Sequence, residues 1–186
     1  MRRNLKNWGL LVGLLSLLTG CFSMEDSVKH AKNKPEIIQG WITSLAGQYP
    51  QVKNATAKEL KSFYVQSDRP LYVIDHRNLE EQMVSIIPGA LPSRDIDLKD
   101  LPENARIVVY CTIGARSSQY VHNQVKSGKA AGREIYNLAG GILAWTFENG
   151  ELQNSQKKPT KKVHVFGPAY HVVADGYEGV TEVEEE

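Results

Sequence analysis

The chain of 186 residues is predicted to adopt an α/β fold, in which a small parallel sheet is flanked by helices on both faces. Three short apolar runs indicate the strands: "LYVID" at 71–75, "RIVVYC" at 106–111 and "EIYNL" at 134–138. The first two do not alternate polar and apolar residues, which is typical of strands buried on both faces of a parallel sheet. Helical segments lie between the runs, so we expect right-handed crossover connections.

The helical segments carry their own start and stop signals. Residues 56–65 open with a capping signal, since Glu59 follows Thr56 by three positions. Residues 117–128 predict a helix that ends at its glycine, and residues 140–150 predict a shorter one closed by a second glycine. With 41% apolar residues, the chain can bury a core around such a sheet.

Two polar side chains end predicted strands, Asp75 and Cys111. In α/β folds, functional groups collect just past the carboxyl ends of the strands, so both are expected at the functional edge. After Cys111 the backbone N–H groups of a tight loop and of a helix that begins near Ser117 can surround an anion. Gly114 lets the loop turn, and Arg116 adds a permanent charge. These features predict a thiolate nucleophile, the alternative being a packed free cysteine.

The first twenty residues predict a secretory signal rather than part of the fold. Arg2, Arg3 and Lys6 form a basic start. The apolar stretch that follows has roughly eleven residues, too few for a membrane-spanning helix, which takes about 20. The stretch "LTGC" then resembles the lipobox of bacterial lipoproteins, in which the cysteine, here Cys21, is lipidated and becomes the mature N-terminus. An ordinary signal peptide or an uncleaved anchor is the alternative.

The chain has two cysteines, so a lipid on Cys21 leaves Cys111 without an intramolecular disulfide partner. Residues 1–20 hold three basic and no acidic residues, which leaves 19 basic against 21 acidic residues in the rest of the chain. The strong basic excess of nucleic-acid-binding proteins is absent, and the scattered histidines give no metal-ligand spacing. We therefore expect no nucleic-acid partner and no bound metal.

Five parts make up the predicted organisation: a lipoprotein signal peptide (1–20), a polar tether (21–34), an N-terminal helical flank (35–55), the α/β domain (56–153) and a C-terminal extension (154–186). Within the extension, "QNSQKKPTKK" reads as polar linker and "VHVFGPAYHVV" as an apolar segment that can lie along the domain. The last nine residues, "EGVTEVEEE", are expected to be a frayed acidic end.

Several stretches of the α/β domain resemble rhodanese-domain sulfurtransferases. In the loop "CTIGARS", four residues separate the cysteine from the arginine, as in that family. "YVIDHR" resembles the family's strand ending in Asp-x-Arg, "IPGAL" the segment after its first helix on the active-site side, and "YNLAGGILAW" its closing strand and helix. Together these stretches span roughly residues 56–152 in the family's order, so the resemblance identifies 56–153 as a rhodanese-like domain.

The resemblance implies sulfur transfer through Cys111. This residue would take sulfane sulfur from thiosulfate or a persulfide, hold it as a persulfide against the N–H groups of residues 113–116, and pass it to a thiol or to cyanide. No cofactor is implied. Arg116 would orient an anionic donor and steady the loop. The implied active loop consists of Cys111, Thr112, Ile113, Gly114, Ala115 and Arg116, with Asp75, Arg77 and Ser117 in support.

Two positions depart from the family pattern. Ile86 stands where the family often has histidine, and Thr112 stands where many thiosulfate-using members carry a basic residue. With one positive charge fewer, the site is expected to hold a dianion less well. Persulfides are therefore predicted to be better donors than thiosulfate.

Other functions remain as alternatives. Phosphatases and arsenate reductases with a related loop place five residues between cysteine and arginine, whereas the four residues here suit a single sulfur atom. Thioredoxin-like exchange needs a nearby resolving cysteine, which the sequence lacks. The main rival is a non-catalytic rhodanese-like binding module, whose tether, flanking helix and apolar tail would dock an envelope protein.

The lipobox also predicts where the protein lies. A lipid on Cys21 would anchor it in the bacterial cell envelope, facing the periplasm. Phe22 is not the aspartate associated with retention in the inner membrane, which favours the outer membrane.

Overall fold

The computed structural model describes residues 33–66 and 68–183. The predicted signal peptide (1–20), Cys21 and nearly all of the predicted tether lie outside the described residues. No helix within the described residues is long and apolar enough to cross a membrane.

A five-stranded parallel sheet forms the centre of the domain, which confirms the predicted α/β fold. Its strands lie in the order β1-β5-β4-β2-β3, so β4, which leads into Cys111, is the central strand. The three predicted strands are present, and β4 ends one residue before Cys111. The other two have two residues each, too few for a sequence pattern. The strands are β1 (Asn54–Ala55), β2 (Leu71–Asp75), β3 (Leu91–Pro92), β4 (Arg106–Tyr110) and β5 (Glu134–Leu138).

Five α-helices surround this sheet in the described part of the chain. The capping box predicted at the second helix is present, because the Thr56 hydroxyl accepts from Glu59 N and the Glu59 carboxylate accepts from Thr56 N. The first helix begins at Lys34 with Asn33 as its cap, one residue before the predicted boundary between tether and flank. The helices are α1 (Lys34–Gln48), α2 (Ala57–Val65), α3 (Leu79–Val84), α4 (Ala115–Lys126) and α5 (Gly141–Phe147).

Apolar side chains cover both faces of the sheet, as the unalternating strands predict. On one face, Val73 and Val108 pack with side chains of α1, α2 and α5, among them the fully buried Trp41. On the other face, Ile74 and Val109 pack with Val121 of α4 and with the loop before β4. The helices therefore lie on both faces, and the carboxyl edge of the sheet stays open to the loops.

The C-terminal extension folds against the domain. Leu152–Gln153 (β6) pairs antiparallel with Pro159–Thr160 (β7), and Lys162–His164 (β8) pairs in parallel with Glu178–Val180 (β9). The prediction of an unstructured polar linker is thus wrong at β7, and the prediction of a frayed acidic end is wrong at β9. Backbone hydrogen bonds hold each of these two strands in place. The apolar segment does lie along the domain, since its valines join the main core: Val163, Val165, Val172 and Val173.

Ile86, which departs from the family pattern, helps to attach this extension. Its backbone N–H donates to Gln153 O at 2.8 Å, and Gln153 N–H donates back to Ile86 O at 3.0 Å. The position therefore acts through its main chain, joining the segment after α3 to β6.

Candidate active site

Cys111 lies at the carboxyl edge of the central strand. The thiol is buried, with 1% of the residue exposed, and the chain turns immediately into α4. Gly114 caps that helix at φ +95°, a left-handed conformation that glycine adopts at little cost. The helix begins at Ala115, two residues before the predicted start near Ser117, so Arg116 belongs to its first turn.

The sulfur of Cys111 contacts two hydrogen-bond donors. Gly114 N–H donates to Sγ at 3.3 Å, and it is the one N–H of residues 113–116 with a described bond to the sulfur. The Ser117 hydroxyl lies 3.5 Å from Sγ and 2.6 Å from Oδ1 of Asn137 on β5. Since a hydroxyl has one proton, it can donate to the sulfur or to Asn137, but not to both at once. The donors face the place where negative charge on sulfur would lie.

The backbone of the cysteine loop is held from behind by α5. Ile142 N–H donates to Cys111 O at 2.9 Å, and Leu143 N–H donates to Thr112 O at 3.2 Å. This close approach needs a glycine, because a Cβ on Gly141 would lie 2.3 Å from Cys111 O. Gly141 also has φ +60°. The loop is thus positioned by main-chain bonds between two neighbouring helix starts.

Arg116 is paired with Glu81, a residue of α3 that the sequence analysis missed. The Arg116 guanidinium donates to both carboxylate oxygens of Glu81, at 2.6 and 2.7 Å, and to the Thr112 hydroxyl at 3.0 Å. Thr112 in turn donates to Glu81 at 2.7 Å. The available sequence signal was the capping position: Glu81 follows Asn78 by three residues and accepts its N–H. The pair gives the positive charge of Arg116 a buried counter-charge.

The surroundings of this ion pair keep both members charged. Burial alone raises the pKa of Glu81, but hydrogen bonds from Arg116, Thr112 and Asn78 N–H outweigh it and lower the pKa to about 2. Burial alone lowers the pKa of Arg116, but Glu81 and, to a smaller extent, Cys111 raise it. Arg116 therefore has Glu81 as its main partner and faces Cys111 as well.

Asp75 and Arg77 form a second, deeper ion pair. Arg77 donates to both Asp75 oxygens, at 3.0 and 2.7 Å, and to Ser85 O at 2.6 Å. The Tyr110 hydroxyl donates to Asp75 at 2.6 Å and accepts from Ile87 N–H at 3.1 Å. Burial, and then the Asp75 charge, raises the pKa of Tyr110 well above its usual value. The pair joins β2, β4 and the segment after α3, and it has no described bond to the Cys111 sulfur.

A pocket of about 150 Å³ opens in front of the cysteine. Two of its walls come from different parts of the chain: the active loop and the C-terminal extension, which contributes Phe166 and Tyr170. Both aromatics lie in the predicted apolar segment "VHVFGPAYHVV", but no local sequence pattern connects them to the loop. The predicted loop residues that line the pocket are Cys111, Thr112, Ile113, Ala115 and Arg116.

Among residues 33–66 and 68–183, no group of three or more histidine, cysteine, aspartate or glutamate side chains could hold a metal ion.

The fold and the cysteine loop define an α/β domain that presents a thiol at the carboxyl edge of a parallel sheet. The sequence profile of the rhodanese-like domain matches residues 56–148, half of the chain. The chain therefore belongs to the rhodanese-like domain family.

Relatives of this chain include named sulfurtransferases. A sulfurtransferase of Allochromatium vinosum is 34% identical over 77 residues, which cover 39% of this chain and 69% of that protein. The probable adenylyltransferase/sulfurtransferase MoeZ of Mycobacterium tuberculosis is 31% identical over 112 residues, covering 57% of this chain but 28% of MoeZ. The chain thus spans less than a third of MoeZ.

A solved structure supports the fold. The crystal structure of thiosulfate sulfurtransferase from Pseudomonas aeruginosa superimposes with a TM-score of 0.53 at 16% sequence identity. The superposition covers 65% of this chain and 23% of that one.

Replacing Gly141 by alanine tests the close main-chain packing of α5 against the cysteine loop. Gly141→Ala is expected to lower the free energy of unfolding by about 3 kcal/mol or more, because the new Cβ meets Cys111 O and the positive φ adds strain. Gly89→Ala is the control: Gly89 also has positive φ, but a Cβ there meets nothing within 4 Å, so about 1 kcal/mol is expected. Equal losses in urea unfolding would contradict the close-approach argument.

The ion pair of Glu81 predicts a pH dependence of stability. Glu81→Gln is expected to lower the free energy of unfolding by about 1–3 kcal/mol at neutral pH, because Arg116 and Thr112 lose the charged acceptor of their hydrogen bonds. The low pKa of Glu81 in the folded state means that the carboxylate stabilises the fold above its unfolded pKa of about 4.3. That contribution is lost as the pH falls toward the folded pKa of about 2.

Urea unfolding over this acid range measures the difference between wild type and Glu81→Gln. The difference should be constant near neutral pH and shrink below about pH 4. Glu80→Gln removes the adjacent, exposed carboxylate and serves as the matched control. If the difference in free energy of unfolding between wild type and Glu81→Gln stays constant down to about pH 2, the ion pair is not the cause of the lost stability.

Proposed function

We propose that this chain transfers sulfane sulfur through a persulfide on Cys111. The observation that carries the proposal is the setting of the Cys111 sulfur, at the carboxyl edge of the central strand, where Gly114 N–H and the Ser117 hydroxyl face it. The family membership agrees with this chemistry, as do the names of the sulfurtransferase relatives.

The first half of the reaction loads the cysteine. The Cys111 thiolate attacks the outer sulfur of a donor R–S–SH, a new S–S bond forms on Cys111, and the donor's S–S bond breaks to release the thiolate RS⁻. With thiosulfate the leaving group is sulfite instead. The Gly114 N–H and the Ser117 hydroxyl are placed to stabilise negative charge on the bound sulfur.

The second half of the reaction removes the sulfur from Cys111. A thiol or cyanide acceptor attacks the outer sulfur of the persulfide, and Cys111 leaves as the thiolate, so the enzyme returns to its starting state with no net oxidation. The main-chain bonds from α5 to Cys111 O and Thr112 O keep the loop fixed through both steps. Such fixed donors need little reorganisation as charge develops.

The charges around the loop favour persulfide donors over thiosulfate. One reason is Thr112, which stands where many thiosulfate-using members of the family carry a basic residue. The structure adds a second reason: the Arg116 charge is already balanced by Glu81 through two short hydrogen bonds. A dianion entering the pocket therefore meets little uncompensated positive charge.

Intact-mass analysis of the purified chain tests the sulfur chemistry. Incubation with a persulfide donor is expected to add the mass of one sulfur atom, and cyanide should then remove it. Cys111→Ser should gain no mass. A chain that gains no sulfur from any donor would contradict the proposal and favour the non-catalytic binding module for an envelope partner.

We further propose that the chain is a lipoprotein of the bacterial cell envelope, anchored through Cys21 and facing the periplasm, with the outer membrane as its site. The support is in the sequence alone: the basic start, the apolar stretch, the "LTGC" lipobox and Phe22 after it.

Fractionation of expressing cells tests the anchor. The wild-type chain is expected in the membrane fraction and released by detergent, whereas Cys21→Ser should lose the lipid and the mass that it adds. Cys111→Ser provides the control for loss of a cysteine elsewhere and should stay membrane-bound. A Cys21→Ser chain that keeps both its mass shift and its membrane association would refute lipidation at this residue.

A further inference from the structure

Two aromatic side chains of the C-terminal extension, Phe166 and Tyr170, form one side of the pocket in front of Cys111. We call this pair the aromatic wall. Both residues lie outside the segment 56–148 that matches the family, so the wall comes from the C-terminal extension and not from the matched domain.

The aromatic wall is anchored in the core. The Tyr170 ring lies 5.7 Å from the ring of Trp41, a fully buried residue of α1. The Phe166 ring meets the Tyr170 ring edge-on, with centroids 6.2 Å apart and an angle of 73°. Such edge-to-face pairs are a favoured aromatic geometry. The N-terminal helix and the C-terminal extension therefore support the wall together.

The position of Phe166 is unfavourable in two ways. Its φ of +65° falls in the left-handed region, which a bulky residue rarely adopts, and 58% of the residue is exposed. His164 holds the turn, because its Nδ1 accepts from Phe166 N–H at 3.0 Å and its Nε2 lies 3.0 Å from Thr181 O. A strained, exposed aromatic ring at the mouth of a reactive pocket indicates a role in binding.

The charge balance defines what the aromatic wall can bind. The Phe166 ring centroid lies 5.3 Å from the Arg116 guanidinium carbon, and that guanidinium is paired with Glu81. Threonine, isoleucine, alanine and aromatic side chains line the rest of the pocket around Cys111 and carry no charge. An apolar or aromatic group can thus stack here without displacing charge, whereas a small inorganic dianion makes no use of the rings.

We propose that the aromatic wall binds the apolar organic group of the sulfur donor, so that the chain selects organosulfur donors. This inference rests on the proposed transfer through Cys111 and names its donor class. With a thiosulfonate anion R–SO₂–S⁻, the Cys111 thiolate attacks the outer sulfur, a Cys111 persulfide forms, and the sulfinate R–SO₂⁻ leaves. The organic group R then lies against Phe166 while sulfur is transferred.

Two thiosulfonate anions that differ in R provide the test. Benzenethiosulfonate and methanethiosulfonate anions have the same charge and undergo the same reaction, so the ratio of their loading rate constants measures the benefit of the ring. Intact-mass kinetics of the purified full chain give both constants. Phe166→Ala is expected to lower the benzene-to-methane ratio about tenfold relative to wild type, as loss of an aromatic contact would.

Two further variants separate a specific effect from a general one. Phe166→Tyr keeps the ring and should keep the wild-type ratio. Tyr64→Ala removes an exposed aromatic whose ring packs on Trp145, outside the pocket, and should keep it too. An unchanged ratio in Phe166→Ala, with loading intact, would overturn the aromatic wall alone. Failure of every donor to load wild-type Cys111 would instead overturn the proposed sulfur transfer.

Discussion

The site depends on one backbone contact, the approach of Gly141 to the carbonyl of Cys111. Because that position has no Cβ, the first turn of α5 can donate two N–H groups to the cysteine loop. The loop is then fixed between the central strand and two helices, and its Gly114 N–H faces the sulfur. Hydrogen bonds from side chains would let the loop move more, because side chains can change rotamer. Main-chain hydrogen bonds between packed elements leave less freedom.

Two ion pairs stabilise the carboxyl edge of the sheet around the cysteine loop. The deep pair, Asp75 with Arg77, joins strands beneath the loop, where a buried charge left alone would be costly. The shallower pair, Glu81 with Arg116, lies beside the pocket and balances the charge that the family motif supplies. The arrangement favours rigidity over strong anion attraction.

Local patterns in the sequence were enough to predict the fold and the cysteine loop that lines one side of the pocket. The three long strands, the Thr56 capping box and the Cys111 loop each reflect neighbours in the chain, so they could be read directly. Glu81, Phe166 and Tyr170 reach the loop from distant segments, and only packing brings them there. The parallel pairing of β8 with β9 was missed for the same reason, because the short acidic end carries no strand period of its own.

The pocket in front of Cys111 is lined by two separate stretches of the chain. Residues that hold and surround the sulfur belong to the segment shared with the rhodanese-like family, whereas Phe166 and Tyr170 belong to a strand-and-turn addition after it. Sequence drift in that addition can reshape the mouth of the pocket while the thiol, its donors and its backbone supports stay as they are. The donors to the thiol and the aromatic side chains at the mouth of the pocket therefore come from separate stretches of the chain, so substitutions can change either set while the other is kept.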